Sequence, residues 1–91
     1  MIDGQSVFQG RDRVMMQQVE GELVLLDIDS GEYFALNEVG GRIWELCDGS
    51  RSVGAVAEVI CAEYEVASET AAHDACELLE ELLEVGLVVQ R

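Results

Sequence analysis

The sequence predicts an α+β domain: a three-stranded antiparallel sheet, then three helices and a short C-terminal strand, the element order of a winged helix-turn-helix. Three observations lead there. Short apolar runs between residues 14 and 36 are separated by the turn formers Glu20-Gly21-Glu22 and Asp29-Ser30-Gly31. Beyond Asn37 the apolar residues recur at intervals of three and four, the spacing of a helical face. After Gly86 the run LVV returns to a strand-like pattern.

Taken in order, residues 1–12 show no period and are expected to form a flexible N-terminal arm, leaving 13–91 as the folded domain. VMMQQV (14–19) reads as the first strand. LVLLDI (23–28), apolar and largely branched, reads as a buried second one. Gly31, free to take positive φ, turns the chain into EYFAL (32–36). These three strands have short connections and make a meander.

Asn37 is a good N-cap for a helix from Glu38 to about Cys47, with Val39, Ile43, Leu46 and Cys47 along one face. Asp48-Gly49 stops it. Ser52 caps a second helix with Val53, Val56, Ala57, Ile60 and Cys61 in line. Ser68 is expected to cap a third, running to about Val85, whose apolar set includes Ala72, Ala75, Cys76, Leu78, Leu79, Leu82 and Leu83. Gly86 is the expected C′ residue.

Composition narrows the function. Ninety-one residues fit one domain, and 49% hydrophobic residues suffice for a core. No stretch of 18 apolar residues is present to span a membrane. The start, MIDGQSVFQGRDR, lacks the apolar segment of a signal peptide, so a cytoplasmic protein is expected. Five Arg and no Lys stand against 19 acids, a formal net charge of −14. Such a field repels phosphate backbones and anionic lipid, and favours basic partners. The winged-helix order raises the question of DNA. The helix that would enter the groove carries Glu69, Asp74, Glu77, Glu80, Glu81 and Glu84 and no Lys or Arg. A helix that reads bases needs the opposite charge, so nucleic acid is excluded as a partner.

Candidate chemistry is sparse. Cys47, Cys61 and Cys76 are widely spaced, contain no CxxC, and sit in helical apolar patterns where a reduced thiol acts as a small hydrophobe. His73 stands alone beside Asp74. Gly40-Gly41 has no phosphate-loop context. No catalytic set, metal site or cofactor cradle is expected, and the chain reads as a binding module. The aromatic pair Tyr33-Phe34 lies on the last strand of the meander, whose outer side is an edge with unpaired N–H and C=O groups. No Pro, Lys or bulge blunts it. An open edge beside an apolar helix is a socket for an extended peptide.

The stretch LVLLDIDSGEYFALNEVGGRIWELCDGSRSVGAVAEVICAEYEV, with a capped helix and LLEELLEVGLV after it, resembles the PqqD-like family, the RiPP recognition elements. The resemblance covers roughly residues 14–90. It rests on D-x-x-x-G-x-Y-x-x-L-N (Asp27, Gly31, Tyr33, Leu36, Asn37), the helix end CDGSRSV, and the closing L-x-x-L-x-x-x-G-L (Leu79, Leu82, Gly86, Leu87). It implies a protein without catalysis or cofactor. Such a protein captures the leader of a ribosomally made precursor peptide and delivers it to a modifying enzyme. The free-standing chain is most similar to the small recognition protein of lasso-peptide systems, where the partner is a separate cysteine-protease-like leader peptidase and leaders carry Tyr-x-x-Pro. The other branch is the pyrroloquinoline quinone chaperone, which presents its precursor to a radical SAM enzyme.

The family's leader adds as a strand beside the third strand, in a groove closed by the third helix. Carried onto this chain, the leader-binding residues are expected to be Glu32, Tyr33, Phe34, Ala35 and Leu36 on the edge. On the helix, Ala75, Leu78 and Leu82 match core positions. Ala72, Cys76, Leu79 and Leu83 form the adjoining stripe, with Glu80 at its rim.

Overall fold

The computed structural model describes residues 2–91. Its elements are β1 (Val7–Gly10), β2 (Val14–Val19), β3 (Glu22–Asp27), β4 (Tyr33–Leu36), α1 (Glu38–Leu46), β5 (Asp48–Ser52), α2 (Val53–Tyr64), α3 (Ser68–Glu84) and β6 (Val88–Gln90). They form three helices and two three-stranded antiparallel sheets, one ordered β2-β3-β4 and the other β5-β1-β6. Among the described residues, no helix is long and apolar enough to cross a membrane.

The meander follows from its turns. Glu20 and Gly21 both take positive φ (49° and 84°), the mirror-image turn that matches strand twist, and Val19 pairs with Glu22 across it. The β3–β4 turn is organised by Asp27. Its carboxylate accepts from the Asp29 N–H at 3.0 Å, its carbonyl accepts from the Gly31 N–H at 2.8 Å, and its own N–H donates to the Glu32 carbonyl at 2.9 Å. Gly31 sits at φ +76°. Leu23 and Leu25 point inward, opposite Leu36 and Phe34 of β4.

The expected flexible arm is the main correction. Residue 1 lies outside the described residues, but Val7–Gly10 is the central strand of the second sheet. It pairs with β5 on one side and with β6 on the other, and Phe8 is buried to 1% exposure. The single sheet expected from the sequence is therefore two, and the C-terminal strand belongs to the second. β5 was expected only as a helix stop. Gly49, at φ +87°, carries the chain out of α1 into it, and Asp48 accepts from Ser50 N–H and Oγ–H and pairs with Arg51.

The helix starts follow their caps, with one shift. Asn37 Oδ1 accepts from Gly40 N–H at 2.8 Å, and Ser52 Oγ accepts from Ala55 N–H at 3.2 Å. Ser68, expected as a cap, is instead the first helical residue. Ala67 holds the N-cap position without a side-chain bond, and its carbonyl accepts from Ala71 N–H. At the other end Gly86 (φ +80°) donates to Leu83 and Leu87 donates to Leu82, the paired bonds that close a helix at glycine. One core joins all layers, with Phe8, Leu25, Ile43, Ile60, Leu79 and Leu82 fully buried.

Candidate functional site: a groove between the edge strand and the third helix

β4 is an edge, because among the described residues β3 is its only strand neighbour. The ladder determines which backbone groups are free. Asp27 and Glu32 are hydrogen-bonded opposites, so Phe34 and Leu36, two and four residues on, also bond inward to β3. Tyr33 and Ala35 occupy the alternate positions, and their N–H and C=O groups point outward, away from β3.

Those of Ala35 face a groove of about 510 Å³. One wall is Phe34–Asn37. The floor is Val39, Gly40 and Ile43 of α1, with Ile60 and Tyr64 of α2 and Val66 beyond it. The far wall is Ala71, Asp74, Leu78 and Glu81 of α3. Gly40 lets α1 come close here, since a Cβ built on it would lie 3.4 Å from Leu36 and 3.5 Å from Leu78. A smaller recess lies between Glu32–Phe34 and the pair Val85 and Leu87, just past α3. The start of β4 thus meets the C-terminal end of α3 while the end of β4 faces the body of the helix. The two run alongside one another in opposite directions.

The groove is apolar at its floor and acidic at its lip. Asp74 and Glu81 are exposed, one helical turn to either side of Leu78. Near Tyr64 the neighbouring cation Arg42 is already engaged. Arg42 donates from Nε and Nη2 to both Glu63 oxygens at 2.9 Å. Their hydrogen bonding pulls Glu63 below the usual carboxylate range and Arg42 above its ordinary value. Burial, with Glu38 and Glu63 nearby, raises the Tyr64 phenol, so at neutral pH it remains an O–H donor at the groove.

The structure brings some of the sequence-expected residues to this groove and separates others from it. Phe34, Ala35 and Leu36 line it, while Glu32 and Tyr33 line the recess beyond. The Tyr33 ring itself lies on the opposite sheet face, 75% exposed beside Met15 and Leu26. The helix residues need correction. Leu79 is fully buried in the core and cannot line a groove. Ala72, Cys76, Glu80 and Leu83 fall on the other flank of the core-facing stripe. There burial, together with Glu80 and Asp3, raises the Cys76 thiol. At about 100° per residue, that flank lies across the helix from Asp74, Leu78 and Glu81. Leu78, expected in the core, is the residue that faces the groove. Its sequence signal was present: it is a leucine at i+4 from Asp74 and i−3 from Glu81, an apolar residue inside a charged stripe.

The reactive groups are disposed as ordinary surface and core. His73 Nε2 lies 3.1 Å from Glu77 Oε2, with Asp74 beside them, all three exposed. Cys47 is buried, which pushes its thiol up to about 11. Cys61 donates to the Val66 carbonyl at 2.9 Å.

Comparison with known proteins gives a family and solved structures of similar fold. The family described as Coenzyme PQQ synthesis protein D (PqqD) matches residues 22–88. The solved structure of TbiB1 in complex with the TbiA(beta) leader peptide is 34% identical, covers 88% of this chain and 93% of its own, and superposes with a TM-score of 0.77. Lasso peptide synthetase B1 complexed with the leader peptide is 33% identical, with 90% and 96% coverage and a TM-score of 0.79. The heterocyclase TruD shares the fold alone, at 17% identity and a TM-score of 0.64. It matches 94% of this chain, which spans 12% of the TruD chain. No curated protein matches the sequence.

Proposed function

The chain belongs to the PqqD family, and on that premise we propose that it is a non-catalytic RiPP recognition element that binds the leader of a lasso precursor peptide. The leader adds as a strand to the free edge of β4 and packs its side chains against α3. The protein then delivers the bound leader to a separate leader peptidase. The observation that carries this reading is the outward pair of backbone positions on a free edge, Ala35 beside an apolar groove with Leu78 on the opposite wall and Tyr33 beside the adjoining recess. Main-chain bonds supply affinity, and the apolar floor takes alternate side chains. Both leader-bound lasso structures support the peptide class, since each aligns over about nine-tenths of this chain. One added strand with two or three filled pockets is sufficient for a micromolar complex, roughly −8 kcal/mol.

A second reading has its own support in the description of the matching family. On it the chain is a chaperone that presents a quinone-cofactor precursor to a radical SAM enzyme. Fluorescence polarisation separates the two. Labelled leaders, one with Tyr-x-x-Pro and one from a quinone-cofactor precursor, are titrated with the purified protein. Saturable binding of the first, lost when its Tyr or Pro becomes Ala, is the expected result. Binding of the second alone moves the chain to the quinone branch, and binding of neither removes the leader-binding reading.

A further inference from the structure

The groove is acidic at its lip, and its own helix carries no Lys or Arg to neutralise that charge. Four of the five Arg are engaged away from it: Arg11 and Arg13 pair with Asp27 and Asp29, Arg42 with Glu63, and Arg51 with Asp48. None of these carboxylates is on α3. Among the described residues, the one ion pair on α3 is His73–Glu77. Among the described residues, Asp74 and Glu81, the two acids that line the groove, are in no ion pair.

Their spacing matches an extended chain. Along the helix axis Asp74 lies about 6 Å before Leu78, and Glu81 about 4.5 Å after it. Residues two apart in a strand face the same side and are roughly 6.6 Å apart. A peptide strand on β4 that sets an apolar side chain against Leu78 therefore brings its next same-side residue level with one of these carboxylates. The partner that fits has a positive charge there.

Resting on the leader-binding reading, we infer that this groove selects peptides carrying Lys or Arg two residues from an apolar anchor, the cation meeting Asp74 or Glu81 while the anchor meets Leu78. The selectivity belongs to these two acids and not to the net charge of the chain.

The test uses one Tyr-x-x-Pro leader peptide, fluorescein-labelled, in which each position of an eight-residue window is replaced in turn by Lys, Gln or Glu. Polarisation titrations are run against the wild type, against Asp74→Asn/Glu81→Gln, and against Glu80→Gln/Glu84→Gln, which removes the same charge from elsewhere on α3. The expected result is a position, two residues from an apolar one, where Lys binds the wild type about five- to tenfold tighter than Glu. That preference should shrink below twofold in Asp74→Asn/Glu81→Gln and persist in Glu80→Gln/Glu84→Gln. If all peptides bind the wild type alike, or if both double variants lose the preference equally, the inference is overturned while strand addition stands. If no peptide binds, the inference and the reading beneath it fall together.

Discussion

Arg11 Nη2 lies 2.9 Å from Asp27 Oδ1, and this contact joins the two sheets. Arg11 directly follows β1, its N–H donating to the Leu87 carbonyl before β6, while Asp27 ends β3 and holds the turn into the edge strand. Among the described residues, Asp27 is the one charged residue that is buried, at 7% exposure. The start of β4 is thus fixed by a carboxylate that the N-terminal strand supplies with its counter-charge.

Acid should release this lock. Burial raises the Asp27 carboxyl, but the Asp29 N–H bond, Arg11 and Ser30 outweigh it, and the net displacement is downward. A folded-state value below the unfolded one, about 3.9, means the contribution is complete above that pH and is lost as pH falls through the folded value. Asp27→Asn should therefore melt below the wild type at pH 7, with the gap closing below about pH 4. Thermal melts from pH 2.5 to 7 check this, and a constant gap across that range would contradict it.

The amides of Tyr33 and Ala35 should exchange with solvent faster than those of Phe34 and Leu36 in the free protein. They should gain protection when a leader binds. Hydrogen-exchange NMR reads both. Ala35→Pro removes one outward N–H that has no bond within the sheet, and proline is tolerated on edges. It should leave the far-ultraviolet spectrum unchanged and weaken leader binding about tenfold or more, roughly one charge-free backbone bond.

Neighbouring leucines on α3 should behave in opposite ways. Leu78→Glu should abolish leader binding with little loss of fold, because Leu78 is only partly buried at the groove wall. Leu79→Ala should cost about 2–5 kcal/mol of stability, since Leu79 is wholly enclosed. Leu83→Glu and Cys76→Arg, on the far flank, should leave affinity within about twofold of the wild type, well inside roughly 1.4 kcal/mol. Paired denaturant titrations and binding curves separate the three behaviours.

Gly10 should resist any side chain. A Cβ there would lie 2.8 Å from Trp44 Cη2, and the indole is held by burial and by its Nε1–H donating to Met16 Sδ at 2.9 Å. Gly10→Ala should destabilise by about 1–3 kcal/mol through overpacking, read as a lowered denaturant midpoint. Gly4→Ala, with open space around its Cβ, is the control.

Much of this architecture is legible in the residues themselves. The meander announces itself through short apolar runs and two turn sequences, and α1 and α2 through Asn37 and Ser52. The strands that escape notice are VFQG and DGSRS. Each is four or five residues long, too short for a period, and each is held by pairing with residues tens of positions away. Such pairing has no local signature. The misassigned face of α3 has a different cause. Alanines, a cysteine and leucines cover so wide an arc of the helix that either flank of the core stripe could be the groove. Only the placement of β4 decides between them. Leu78 and Leu79 are adjacent and identical in type, so composition cannot rank them.

The position of β1 also sets the order in which its sheet can form. Val7–Gly10 is made before either of its neighbours, Asp48–Ser52 on one side and Val88–Gln90 on the other. The earliest strand is the last to acquire both partners. A nascent chain can close the meander and wind its helices while Phe8 is still waiting for β6. Closure of this sheet thus waits for Val88–Gln90, and Arg11 reaches its bond to the Leu87 carbonyl only after that segment has been made.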